Sequence, residues 1–301
     1  MGDVGGEAIC IDGARLSGLV ARPSGTPRAL VLALHGAGMT SGYFDARTDR
    51  RLSLLALGAE LGFTMWAPDR PGYGASADLA DARLGLHDQV DLLHRAIEAF
   101  SATNETGAGC FVVGHSYGLK VAIAMAADRR GSRLLGVDGS GAGIRYTFNP
   151  GTDRPPAAPG DRSAIWGPTA LYPPTTFGRG VIATARAPGA QTAEAPAWPA
   201  DFERFAPEVV VPVRFTFGDH ERLWSLSEEH FAELRAKLVR SPRVEVHLHR
   251  AAGHNLSLGY SARAYHLKLL AFAEECVDDA GRPARGSGAV SREAPRHRTT
   301  R

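Results

Sequence analysis

Cysteine is scarce in this chain: Cys10, Cys110 and Cys276 are the three in 301 residues, odd in number and far apart. They offer neither a disulfide framework nor a zinc-ligand spacing, and they suit a reducing, cytoplasmic setting. Lysine is as rare, three against 31 arginines, a bias of coding composition that discourages reading the arginines as phosphate recognition. Excess charge is missing too. With 34 basic and 32 acidic residues the net is +2, too little for a surface built to hold nucleic acid or an anionic membrane. No apolar stretch approaches 18 residues, so no membrane span is expected. The opening MGDVGGEAIC has no basic segment followed by an apolar run, which argues against a secretory leader, and Gly6 stands where a myristoylation signal needs Ser or Thr.

What is present is 44% hydrophobic residues, 35 glycines and 19 prolines, the composition of a globular chain. Apolar runs of strand length alternate with longer stretches of helical period, the pattern of a mostly parallel sheet covered on both faces, hence an α/β fold. Eight strands are expected at 8–11, 15–21, 29–34, 62–67, 110–114, 134–138, 209–217 and 243–249. The first two should form an antiparallel edge pair about a turn at Asp12 and Gly13. Helices are expected near 48–61, 84–102, 117–128, 226–240 and 260–277, with Val90, Leu93, Ile97 and Phe100 showing the three-and-four spacing.

Residues 141–205 break the rhythm, holding ten of the prolines, which block any long helix. The same stretch carries Tyr146, Phe148, Trp166, Tyr172, Phe177 and Trp198, more large aromatics than a solvated linker would keep. It is read as an inserted lid over the carboxyl ends of the strands, with a surface excursion anchored by its aromatics as the alternative. Beyond it, from Ala280 onward, six arginines face the lone acidic Glu293, a net of +5 in a stretch without apolar periodicity. The expected organisation is a core domain of 1–140 and 206–277, the lid at 141–205, and a disordered basic tail at 278–301.

Gly114-His115-Ser116-Tyr117-Gly118 fits G-x-S-x-G, directly after the run CFVVG and directly before LKVAIAMAA. A strand-to-helix turn there would push the Ser116 hydroxyl above the sheet and aim the helix amino end at it. A serine hydroxyl needs a base, and His254, in AAGHN after the final strand, is at the right edge. Asp219, in FTFGDHERLW, is the expected carboxylate, giving the chain order Ser116, Asp219, His254. Asp138 at the end of the 134–138 strand is the alternative acid. His115 and His35 are expected to hydrogen-bond around the turn, and His247 and His249 have no third ligand nearby, so no metal site is indicated. No phosphate-binding glycine motif sits in the required context, so no nucleotide cofactor is expected.

With these motifs the chain resembles the α/β-hydrolase superfamily, in particular its serine-nucleophile esterase and thioesterase branch. Leu34-His35-Gly36-Ala37-Gly38 looks like that family's oxyanion loop, and Asp69-Arg70-Pro71-Gly72-Tyr73-Gly74-Ala75-Ser76 like its D-x-x-G-x-G-x-S turn. The likeness covers about residues 8–277 and leaves 141–205 unmatched. It implies the α/β-hydrolase fold, with the backbone N–H groups of Ala37 and Tyr117 as the oxyanion hole. The expected activity is hydrolysis of an ester, thioester or activated amide of a small apolar or aromatic molecule through an acyl group on Ser116, without a cofactor. Trp166, Tyr172 and Trp198 are expected to line the substrate pocket. A lyase, cyclase or acyl transferase on the same scaffold, or a non-catalytic binding protein, are the rival readings. Oligomeric state is not legible.

Overall fold

The computed structural model describes residues 3–46, 49–81, 84–177 and 184–281. It opens with a hairpin, β1 (Val4–Ile11) and β2 (Ala14–Ala21), joined by Asp12 and Gly13 at φ of 47° and 85°. Two successive positive φ values give the turn that matches strand twist, which is why an Asp-Gly pair stands there. The remaining strands are β3 (Leu30–Leu34), β4 (Thr64–Pro68), β5 (Cys110–His115), β6 (Leu134–Ser140), β7 (Val213–Gly218) and β8 (Val244–His249). They make one sheet in the order β1-β2-β4-β3-β5-β6-β7-β8, antiparallel at β1–β2 and β2–β4 and parallel from β4 to β8.

Alternate residues of the central strands face two separate cores. Leu30, Leu32, Leu34 and Val112 pack with α2 (Leu86–Ser101) and α3 (Tyr117–Ala127). Val31, Ala33, Phe111 and Val113 pack with α1 (Leu54–Glu60) and α7 (Ala262–Ala280) on the opposite face. Both faces of β3 and β5 are therefore buried, as their unbroken apolar runs require. Strand order reverses between β3 and β5, because β4 lies on one side of β3 and β5 on the other. The chain leaving β3 runs to the α1 face and the chain leaving β5 to the α3 face, so the strand order switches where the carboxyl ends of these two strands stand. The loop after β3 carries His35 to Gly38, and the turn after β5 carries Ser116.

Between β6 and β7 the chain makes its long excursion, in which α4 (Gly189–Glu194) and α5 (Trp198–Phe205) are the α-helices among the described residues. After β7 come α6 (Glu228–Lys237), β8 and α7. The last helix continues through Ala280, so residues 278–280, expected to be disordered, are helical. The rest of the expected tail, from 282, lies outside the described residues. Among the described residues no helix is long and apolar enough to cross a membrane.

Asp138 is accounted for inside this sheet. It is fully buried on β6, accepts from Arg214 Nε of β7 at 2.5 Å and from the Tyr265 hydroxyl at 3.3 Å. It is a core ion pair, and burial raises its carboxyl above the usual range despite the guanidinium.

Candidate active site

Ser116 caps the start of α3 at φ 53° and ψ −116°, a backbone conformation that a residue with a Cβ adopts only at a cost of about 1–3 kcal/mol. The flanking glycines make the turn possible. A Cβ on Gly118 would lie 2.0 Å from the Leu34 carbonyl oxygen, and one on Gly114 would lie 2.4 Å from the Leu119 Cα. Helix, preceding strand and the loop after β3 thus approach more closely than any side chain allows. The Ser116 N–H is tied to the Ser140 carbonyl at 2.7 Å, which sets the turn against the end of β6. The hydroxyl-bearing residue remains half-buried.

His254, in the loop after β8, reaches the same strand end. Its Cε1 lies 2.8 Å from where a Cβ on Gly141 would stand, directly after the Ser140 that holds Ser116. Its ring centroid is 5.0 Å from that of His115. Ser116 and His254 thus both adjoin Ser140 and Gly141 at the carboxyl end of β6, Ser116 through its N–H on the Ser140 carbonyl and His254 through its ring beside Gly141. The carboxylate against the imidazole is Glu221: His254 Nδ1 donates to Glu221 Oε2 at 2.8 Å, and both side chains are buried. The other oxygen, Oε1, accepts from the N–H groups of Arg222 at 2.9 Å and Leu223 at 2.8 Å. With Nδ1 carrying the proton, Nε2 is left as the basic nitrogen.

Asp219, the acid expected from sequence, is not at the imidazole. Its two oxygens accept from the N–H groups of Ala251 and Ala252, each at 3.0 Å. It ties the end of β7 to the loop leaving β8, where Ala251 sits at φ 53°. The physical reason is reach: a residue immediately after β7 lies beside the parallel return of β8, whereas two further residues and a longer side chain climb to His254. The signal was present as a second carboxylate in FTFGDHE, two positions on.

Around the Ser116 turn two histidines are held neutral. His115 lies between Ser140 Oγ at 3.1 Å and Asn255 Oδ1 at 3.3 Å and stacks on Tyr43 with centroids 4.3 Å apart. Burial, then the neighbouring His254, pushes it well below the ordinary imidazole range. His35 is fully buried in the loop after β3. Its Nε2 accepts the Arg70 N–H at 3.0 Å, so its Nδ1 donates to the Gly36 carbonyl at 2.9 Å. Burial and the Arg70 charge keep it far below its usual value. A Cβ on Gly36 would stand 3.1 Å from the Ser116 Cβ, so this loop passes directly over Ser116. Ala37, next along it, is exposed, and Tyr117 is the first residue of α3, where helix N–H groups lack intrahelical partners.

The three aromatics expected to share a pocket do not. Tyr172 is 3% exposed in the α1/α7 core, edge-on to Trp166 and Phe177. Trp198 is 2% exposed in the α2/α3 core, its Nε1 donating to the Gly143 carbonyl at 2.8 Å. The sheet separates them. Trp166, half-buried, packs on the Tyr172 side. Among the described residues no group of three or more His, Cys, Asp or Glu is placed to hold a metal ion.

The family model described as alpha/beta hydrolase family matches residues 30–265. A monoglyceride lipase from Homo sapiens is 31% identical over 110 residues, 36% of this chain and 34% of that protein, so the matched part spans about a third of the relative's length. Among solved structures, a highly thermostable carboxyl esterase from Bacillus coagulans in complex with glycerol superposes with TM-score 0.67 at 17% identity, over 91% of this chain and 99% of that one. A soluble variant of monoglyceride lipase from Saccharomyces cerevisiae, in complex with a substrate analog, gives TM-score 0.64 at 15% identity, over 92% and 95%. At these identities the likeness is one of fold.

Proposed function

The chain belongs to the alpha/beta hydrolase family, and from that premise we propose that it hydrolyses an ester or thioester of a small apolar molecule through an acyl group on Ser116. The observation that carries this reading is the strained Ser116 on the strand-to-helix turn, with the buried His254–Glu221 pair at the same strand end. Strain of that kind persists where the surroundings over-determine it, and here it raises a hydroxyl toward a base.

In this mechanism Ser116 Oγ attacks the carbonyl carbon while His254 Nε2 takes its proton. Glu221 holds Nδ1–H and stabilises the imidazolium that forms. The oxyanion is received by the N–H groups of Ala37 and Tyr117, the second favoured by the amino end of α3. The imidazolium then protonates the leaving oxygen or sulfur, and a water deprotonated by His254 releases the acid. The 141–205 excursion acts as the lid. The family's lipase and esterase relatives support ester substrates.

The test is Ser116→Ala. It is expected to lower kcat by about four to six orders of magnitude and to abolish labelling by a fluorophosphonate. A variant keeping a tenth of the activity refutes the acyl-enzyme. Turnover in heavy-oxygen water must place solvent oxygen in the released acid, and product without it assigns acyl transfer instead.

A further inference from the structure

One short lid helix, α4, is bonded into the supports of both oxyanion-hole residues. On the β3 side, Gln191 is 1% exposed, and its Oε1 accepts from Arg70 Nη2 at 3.0 Å and from the Tyr73 hydroxyl at 2.9 Å. The Tyr73 oxygen in turn accepts the N–H of Gly38 at 3.1 Å, the residue after Ala37. Arg70 donates through Nε to the His35 carbonyl at 2.7 Å, two residues before Ala37. Both ends of the loop that carries the Ala37 N–H are therefore held by groups that converge on one lid amide oxygen.

On the α3 side, three residues further along α4, Glu194 Oε2 accepts from the Tyr117 hydroxyl, and its Oε1 accepts from the Leu86 N–H at 3.3 Å. The two halves meet at Arg70, whose guanidinium carbon lies 5.0 Å from the Tyr73 ring centre and 4.9 Å from that of Tyr117. Arg70 is fully buried with carbonyl partners, the third being Gln89 Oε1 at 2.6 Å, and no hydrogen-bonded carboxylate is seen among the described residues. Such a charge is costly to bury and is moved by the loss of any one acceptor.

We propose that Gln191 and Glu194 are positioning residues for the oxyanion hole, so that seating of α4 sets the alignment of the Ala37 and Tyr117 N–H donors. The inference rests on the serine-hydrolase reading and deepens it. Neither side chain touches the reacting atoms. A hydrogen-bond donor displaced by a fraction of an ångström is lost mainly from the transition state, so the signature is in kcat with KM little changed.

The experiment is steady-state kinetics per competent serine, with sites counted by fluorophosphonate end-point labelling and folding followed by thermal melts. Gln191→Leu is expected to lower kcat about 10- to 100-fold with KM within about threefold, and Gln191→Glu, which keeps the acceptor, to recover most of it. Glu194→Ala and Tyr117→Phe are each expected to cost about tenfold, and the double variant no more than either single one. Glu194 is only half-buried, so its substitution is compatible with folding even if Gln191→Leu is not. Unchanged kcat per labelled site, effects confined to KM, or additive losses in the Glu194/Tyr117 pair overturn the proposal. Ser116→Ala run alongside separates the two failures: if it stays active the serine mechanism falls, and if it is dead while the α4 variants are normal the positioning role alone falls.

Discussion

Glu221→Gln and Asp219→Asn are near-isosteric changes two residues apart, and the hydrogen bonds predict opposite consequences. In Glu221→Gln the amide must choose which end faces His254. Oε1 now receives two backbone N–H groups, from Arg222 and Leu223, at 2.9 and 2.8 Å. Placing an NH2 there would set donor against two donors and forfeit both bonds, at about 1 kcal/mol each plus the desolvation of the orphaned groups. The carbonyl therefore stays on the backbone and the NH2 turns to the imidazole. That forces the proton from Nδ1 to Nε2, the tautomer that cannot accept from Ser116. A wrong tautomer of this kind costs about 10⁴ in kcat, or about 5 kcal/mol of transition-state stabilisation. In Asp219→Asn one of the two acceptors on Ala251 and Ala252 is lost, which costs about 1–3 kcal/mol of stability and less than about tenfold in kcat. The assay is kcat and urea midpoint for both variants on one chromogenic ester. Asp219→Asn inactive at normal stability, with Glu221→Gln active, would refute the assignment.

Further predictions concern stability. Lys120 is caged by Tyr117, Tyr146, Trp198 and Trp224, donates to the Tyr146 hydroxyl at 3.0 Å, and is pushed by burial down to about 7. The unfolded amine titrates near 10.4, so between about pH 7 and pH 10 the unfolded chain binds the extra proton and stability rises with pH, by on the order of 4 kcal/mol, flattening below 7. Lys120→Met should remove that slope in urea melts, and equal slopes in the two proteins would contradict it. Asp138→Ala strands the buried Arg214 and should cost about 3–5 kcal/mol while the folded fraction keeps its kcat; a stable, inactive variant would return Asp138 to the mechanism. Gly118→Ala, with its Cβ against the Leu34 carbonyl, should lower Tm by several degrees, whereas Gly5→Ala, with nothing within 4 Å, should leave it unchanged.

The strands were legible because burial on both faces writes itself as an uninterrupted apolar run, and the Ser116 turn because its glycines are dictated by contact distances. Where boundaries moved, a local cause is visible. The run from Val209 reads as strand, but β7 begins only at Val213, after Pro212, which has no N–H to give a ladder. The helix expected from 48 begins as α1 at Leu54, where the Ser53 hydroxyl accepts the Ala56 N–H at 3.0 Å. Glu221 was displaced by Asp219 because strand-end position says which residues are near the edge, not which of two carboxylates the neighbouring strand's loop will occupy. Tyr172 and Trp198, expected to line one pocket, are instead buried anchors in two separate cores. Their separation was illegible because an irregular segment has no period to say which side of the sheet each part visits.

That division of the 141–205 segment limits how it can move. Its middle is wedged through Trp166, Tyr172 and Phe177 on one side of the sheet, while its start, through Ala142 and Ile144, and its end, through Trp198 and Phe202, are held on the other. A drawbridge swinging on a single pivot would have to pull out both wedges at once, including the indole bonded to Gly143.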